Sequence, residues 1–337
     1  MRNLLFIISL GTVLTSCATQ KKTTTRKYVA PAKTQTTAKT VTQTKTVEKL
    51  PPGVEFYTKN IGDITKNDNT ISYGSIVTAN PAGYKVVKTH FPAVAQNFRQ
   101  KYIILHYTAL DDEKSKQVLT QQQVSSHYLV NNTGNNEIYQ LVDENKRAYH
   151  SGISAWRNDI NLNDTSIGVE IVNPGYTADA AGLKIFQPFD DAQISKVAAL
   201  VKDIANRYQI PATNILAHSD VAPTRKQDPG PLFPWKKLYD QHQIGMWYDD
   251  MTRQNFLTQI NPETFAVEQN APQFVFQVQS ALQKFGYGIN PTGTWDKENM
   301  KVVEAFQYHF RPQKYDGIVD IETWAILQAL LQKYPGK

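Results

Sequence analysis

The chain has 337 residues, enough for one substantial domain and a smaller one or for two mid-sized domains. Its net charge of +6 is unevenly placed: residues 1–50 hold nine Lys/Arg and one acid, Glu48, so the remainder carries −2. The folded part therefore lacks the basic surface that would bind nucleic acid, and the lone cysteine, Cys17, excludes an intrachain disulfide.

From the N-terminus, Arg2 precedes an apolar run from Leu4 to Leu14 that is too short for a stable membrane span. Leu14-Thr15-Ser16-Cys17 follows and resembles the bacterial lipoprotein processing site. Residues 1–17 thus read as a signal segment ending at a lipidation cysteine, Cys17, with acyl chains tying the mature protein to a membrane. Ala18 and Thr19 include no acid, which points to outer-membrane retention facing the periplasm. Residues 18–50 are dominated by Thr, Lys, Gln and Ala and cannot bury enough surface to offset chain entropy, so they read as a disordered tether. As a random coil it would reach on the order of 30 Å.

Pro51-Pro52-Gly53 marks entry into folded structure, and residues 54–89 show no pattern that assigns them a role. Lys101–Tyr107, Ser126–Val130, Glu137–Val142 and Ser166–Val172 are rich in β formers and predict strands. Ile194, Val197, Ala198, Val201, Ile204 and Ala205 form a helical stripe over 190–208, with Asp190 or Asp191 as its cap. This alternation predicts an α/β domain, a mixed central sheet flanked by helices, over residues 51–265. Residues 266–337 predict a small all-α domain with three helices near 273–285, 297–310 and 320–333. A loose repeat links its second and third helices: Thr292-Gly293-Thr294-Trp295-Asp296 leads into one, Asp316-Gly317-Ile318-Val319-Asp320 into the other.

The chemistry concentrates in HSDVAPTRKQDPGPLFPW, residues 218–235, where His218, Lys226 and Asp228 share a loop stiffened by four prolines. Histidine and carboxylate are ligand types of hydrolytic zinc sites. His106 closes a predicted buried strand and could converge with them on a metal; a lone histidine there is more often structural. Glu170 is a carboxylate inside an apolar strand, and so needs a partner, a metal-bound water or a raised pKa.

LHYTA (105–109), SSHYLV (125–130), YHSGISAW (149–156), NDTSIGVEIVN (163–173) and the 218–235 loop resemble the type 2 family of zinc-dependent N-acetylmuramoyl-L-alanine amidases. The segment from about 271 resembles a peptidoglycan-binding helical domain. The resemblance implies one Zn²⁺ held by His106, His218 and Asp228, with Glu170 and Lys226 catalytic. The implied partners are peptidoglycan and muropeptides, cleaved between N-acetylmuramic acid and L-alanine by a monomer. His150 stands where the family has a histidine and would line the substrate cleft, and Trp156 and Arg157 could contact sugar or peptide. For Trp156 the other reading is a loop packed by its own aromatic. His127 reads as a core histidine, Trp235 as packing the loop onto the body, and His242 and His309 as surface residues. Phe276, Phe285, Tyr287, Phe306, Trp324 and Tyr334 supply a small core, with one or two free to stack on glycan. A non-catalytic muropeptide-recognition or wall-tethering lipoprotein on the same fold is the competing reading.

Overall fold

The computed structural model describes residues 81–86 and 97–336; the signal segment, Cys17 and the tether lie outside them. Apolar β formers give β1 (Tyr102–Tyr107), followed by helix α1 (Asp112–Gln121), β2 (Tyr128–Val130) and β3 (Tyr139–Gln140). A tight hairpin pairs β4 (Ala155–Trp156) with β5 (Asp159–Ile160), then comes β6 (Ser166–Ile171) and a second hairpin of β7 (Tyr176–Ala178) and β8 (Lys184–Phe186). Helix α2 (Asp191–Tyr208) leads to β9 (Ile215–Ala217), the short α3 (His218–Val221) and α4 (Trp235–His242). Helices α5 (Asp250–Gln259), α6 (Pro262–Glu268), α7 (Pro272–Phe285), α8 (Lys297–Phe310) and α9 (Ile321–Lys333) complete the chain.

The central sheet runs β3-β2-β6-β1-β9, parallel except for the β2–β3 pair. Its inner strands β1 and β6 are buried nearly throughout, which is why they read as continuous apolar runs and not as alternation. Asp190 caps α2, its side chain accepting from the backbone of Ala192 and Gln193, and the helix buries the predicted stripe together with Gln193 and Tyr208. The three predicted C-terminal helices are present within a residue of their expected bounds. Asp296 and Asp320, the last residues of the repeat, cap α8 and α9. A buried glutamine organises each repeat loop: Gln279 accepts from Thr292 and Gly293 and donates to the Thr294 carbonyl, while Gln307 accepts from Gly317 and donates to the Ile318 carbonyl.

The hydrophobic core is continuous from β1 and α2 through Trp235 and Met246 to Phe285, Phe306 and Leu330. Helix α5, on the catalytic side of the expected 265/266 boundary, packs against α9. Phe276 is half exposed and does not join this core.

Glu144 shows what fastens the loop beyond β3. Its carboxylate takes a two-pronged bond from Arg207 at 2.6 Å on each oxygen, and accepts from the Tyr128 and Tyr208 hydroxyls at 2.5 Å. Burial alone would raise the Glu144 pKa, but the guanidinium and the two hydroxyls outweigh it and hold the carboxyl below its ordinary value of 4.5. A depressed folded-state value means stability that is present above 4.5 and lost as pH falls through the folded value. Glu144→Gln should therefore cost about 1–3 kcal/mol at pH 7, since the two tyrosine hydroxyls lose a charged acceptor and the half-buried Arg207 keeps its bond to the exposed Asp203 in place of a buried carboxylate. Urea titrations should find that cost constant down to mildly acidic pH and shrinking below it; a cost unchanged by acid would refute the ionic account.

Candidate active site

Sheet register assembles the site. His106 on β1 is the direct parallel neighbour of Glu170 on β6, so both side chains leave the same face near the carboxyl ends of their strands. Ala217, which ends β9, pairs with Leu105, and His218 follows as the first residue of α3. The Ser219 amide bonds the Asp228 carbonyl at 3.0 Å and returns the proline-rich loop to the same place. The carboxyl edge of a largely parallel sheet is where open α/β folds bind ligands.

There, His106 Nδ1, His218 Nδ1 and Asp228 Oδ2 stand 2.9 Å from one another, all three residues being buried. The outward nitrogens fix the tautomers. His218 Nε2 lies 3.1 Å from the Ser151 carbonyl, which can only accept, so Nε2 carries the proton and Nδ1 presents a lone pair. His106 Nε2 lies 3.0 Å from His150 Nδ1, and His150 Nε2 lies 3.2 Å from Ser166 Oγ. The Ser166 hydroxyl is committed to the Leu162 carbonyl at 2.5 Å. Protons along this chain therefore point away from the centre, and His106 Nδ1 also presents a lone pair.

Electrostatics agrees. Burial and the neighbouring His218 push His106 down to about 4, leaving it neutral at ordinary pH. Two lone pairs and a carboxylate converging in a dry site repel one another unless a cation joins them. A tetrahedral zinc with bonds of about 2.0–2.2 Å would spread its ligand atoms to about 3.3–3.5 Å, a few tenths beyond the spacing here. The donor set fits a divalent metal.

Glu170 faces the same cavity, about 240 Å³, which Tyr107, Thr108, Leu119, Tyr149 and His150 also line. Its Oε2 is buried without a hydrogen-bond partner among the described residues. Burial, reinforced by the charge of Asp228 and only partly offset by Lys226, raises the Glu170 pKa well above the ordinary carboxylate value. Lys226 is exposed on the cavity rim. A second cavity of about 470 Å³ shares Tyr107, Ala109, Lys226 and Asp228 with the first and extends to Lys301, Glu304 and Tyr308 on α8.

Residues 96–231 match the N-acetylmuramoyl-L-alanine amidase family, and residues 272–327 match a putative peptidoglycan binding domain. The chain is 45% identical over 257 residues to N-acetylmuramoyl-L-alanine amidase AmiD of Escherichia coli K12, covering 75% of this chain and 89% of that protein. The chain belongs to the N-acetylmuramoyl-L-alanine amidase family. Among solved structures, this amidase is similar to the E. coli AmiD complex with anhydro-N-acetylmuramic acid-L-Ala-D-γ-Glu-L-Lys, at a TM-score of 0.69 and 43% identity over 77% of this chain and 98% of that one. It is also similar to AmpDh3 of Pseudomonas aeruginosa in complex with anhydromuramic pentapeptide, at a TM-score of 0.65 and 38% identity over 77% of this chain and 100% of that one.

One substrate-contact expectation for this amidase needs correction. Trp156 is fully buried, with Nε1 donating to the Thr213 carbonyl at 3.1 Å and its ring packed edge-on against Phe285 and Tyr287. It fills the seam between the sheet and α7, and Gly286 is glycine because a Cβ there would stand 2.7 Å from the indole. Arg157 follows the indole into that seam, its amide donating to the Gly286 carbonyl at 2.7 Å; it lines a separate cavity with Asn158, Lys284 and Tyr287. His150 lines the same cavity as His106 and Glu170, and its Nδ1 faces His106 Nε2.

Other residues of the site lie within or beside the sequence motifs without having been assigned a role. Asn163 Oδ1 accepts from the amides of His150 and Ser151 and from the Ser151 hydroxyl, fixing the segment whose His150 ring faces His106 and whose Ser151 carbonyl faces His218. Gly168 clears the space that the His150 ring occupies. His127 is a core histidine as expected, accepting the Gly168 amide on Nδ1 and bonding the Lys146 carbonyl through Nε2. His309, expected at the surface, is buried.

Proposed function

We propose that this amidase hydrolyses the bond between the lactyl group of N-acetylmuramic acid and the L-alanine of the stem peptide. In this reading His106, His218 and Asp228 hold one Zn²⁺, Glu170 is the proton carrier and Lys226 the oxyanion partner. The convergence of three unprotonated donor atoms beside a buried, unpartnered Glu170 oxygen carries it. Bound there, zinc would supply Lewis acidity and lower the pKa of water to near neutrality. As water attacks the amide carbonyl, Glu170 accepts its proton, and the same oxygen later delivers that proton to the departing nitrogen. The C–N bond breaks, and the water's second proton passes from the new lactyl carboxyl to the amine, leaving a carboxylate and an L-alanine ammonium group. A carboxyl raised by burial holds the accepted proton more firmly than an exposed one, so it can carry it from the water to the departing nitrogen. Lys226 on the rim meets the carbonyl oxygen as negative charge develops on it.

Anhydromuramyl peptides are the ligands held by the two similar structures and are the substrate class favoured here. Incubating the protein without residues 1–17 with an anhydromuramyl tripeptide should release stem peptide with a free alanine N-terminus, detected by mass spectrometry. Chelation should abolish release and added zinc restore it. No release from metal-replete protein would leave the muropeptide-recognition reading standing.

The protein works in the cell envelope. The same proposal assigns residues 1–17 as a lipoprotein signal, Cys17 as the acylated anchor in the outer membrane facing the periplasm, and 18–50 as its tether. Residues 51–265 would be the catalytic domain and 266–337 the wall-binding domain of a monomer. Among the described residues no helix is long and apolar enough to cross a membrane.

A further inference from the structure

Asp220 stands two residues beyond His218 on α3 and is fully buried. A buried carboxylate is costly unless its lone pairs are met. Here Oδ1 accepts the Tyr287 hydroxyl at 2.7 Å, and Oδ2 accepts the Ala217 amide at 2.8 Å and His309 Nδ1–H at 2.7 Å. Two of these three donors come from the C-terminal helical segment, 67 and 89 residues away in sequence. Neither donor can turn aside. The His309 ring is stacked between Trp235 and Phe310, with centroids 3.9 Å from each. The Tyr287 ring packs against Trp156 and Phe285. Because α3 starts at His218 and its Ser219 amide bonds the Asp228 carbonyl, a clamp on Asp220 bears on two of the three candidate ligands.

We propose that the helical segment is a positioning element of the active site: Tyr287 and His309 grip Asp220 and thereby hold His218 and Asp228 in ligand geometry. This role is separate from wall binding, and it rests on the reading of His218 as a metal ligand. It makes the C-terminal helices necessary for turnover of small soluble substrates, for which attachment to an insoluble polymer is irrelevant.

The test uses the full chain with Tyr287→Phe, His309→Leu and His309→Asn, the asparagine amide replacing the Nδ1–H donor. Two controls accompany them: Leu330→Ala in the core of α9, and His218→Ala. Each variant is assayed for Co²⁺ affinity by chelator competition, for the visible spectrum of its bound Co²⁺, and for thermal midpoint. Tyr287→Phe and His309→Leu should weaken Co²⁺ binding about 10–100-fold, as loss of outer-shell support does, and alter the spectrum. His309→Asn should recover most of the affinity, and Leu330→Ala should lower the midpoint while leaving affinity and spectrum intact. Unchanged affinity in the two clamp variants, or an equal loss in Leu330→Ala, would overturn the clamp while leaving the metal site itself in place. Equal Co²⁺ binding by wild type and His218→Ala would overturn both the metal-site reading and the clamp.

Discussion

Glu170→Gln should lower kcat/KM for a soluble anhydromuramyl peptide by about 10²–10⁴-fold, the range lost when a positioned proton carrier is removed. The amide keeps the shape of the side chain but cannot take up and return a proton. Glu170 is not among the three converging donors, so metal content should stay at one equivalent. Stability should move the other way. Burial and the charge of Asp228 raise the Glu170 pKa in the fold, so ionising it costs folding free energy. For a carboxyl with a raised folded value, the stability present below the unfolded pKa is lost as pH rises. The metal-free Glu170→Gln protein should therefore match wild type near pH 4 and exceed it increasingly toward neutrality. That pattern would mark Glu170 as a group kept for chemistry at the expense of the fold. Activity within threefold of wild type, or metal lost along with activity, would remove Glu170 from the role given to it.

Much of this site could be read from the chain because its parts sit where local pattern is strongest. His106 and Glu170 lie on β1 and β6, whose apolar runs can only be buried strands, and a charged or ionisable group at the end of such a run stands out. The proline-rich loop announces His218, Lys226 and Asp228 together. What escaped depends on partners distant in sequence. Helix α1 buries only Ser115 and Leu119, so it carries almost no periodic apolar signal and shows itself only through the Asp111 cap and its acidic first turn. The β4–β5 hairpin has two residues per strand, too few for alternation to register. Trp156 and His309 look like surface or cleft residues locally, yet each is buried by contacts across the seam between the sheet and the C-terminal helices. No window of sequence contains both sides of that seam, which is also why a boundary near 265 divides helices that share one core.

Gly168→Ala should be the most damaging single methyl in the sheet. Gly168 lies on β6 two residues before Glu170, on the same face, and a Cβ there would stand 2.5 Å from His150 Cγ and 2.7 Å from two further ring atoms. The imidazole cannot simply withdraw, since Ser166 holds one nitrogen and His106 the other. Overpacking of this kind costs about 1–3 kcal/mol, which a urea titration would read directly. The larger consequence is for the proposed ligand His106: once His150 is displaced, His106 Nε2–H loses its acceptor and the ring is free to turn its lone pair away from the centre. Loss of such outer-shell support weakens metal binding by about 10–100-fold. The double variant Gly168→Ala/His150→Ser separates the two effects, because the smaller side chain removes the clash without restoring the acceptor in place. It should regain most of the stability and none of the metal affinity. If affinity returned together with stability, His150 would be only a bystander to the clash, and the outward chain from His106 through His150 to Ser166 would have no part in orienting the ligand.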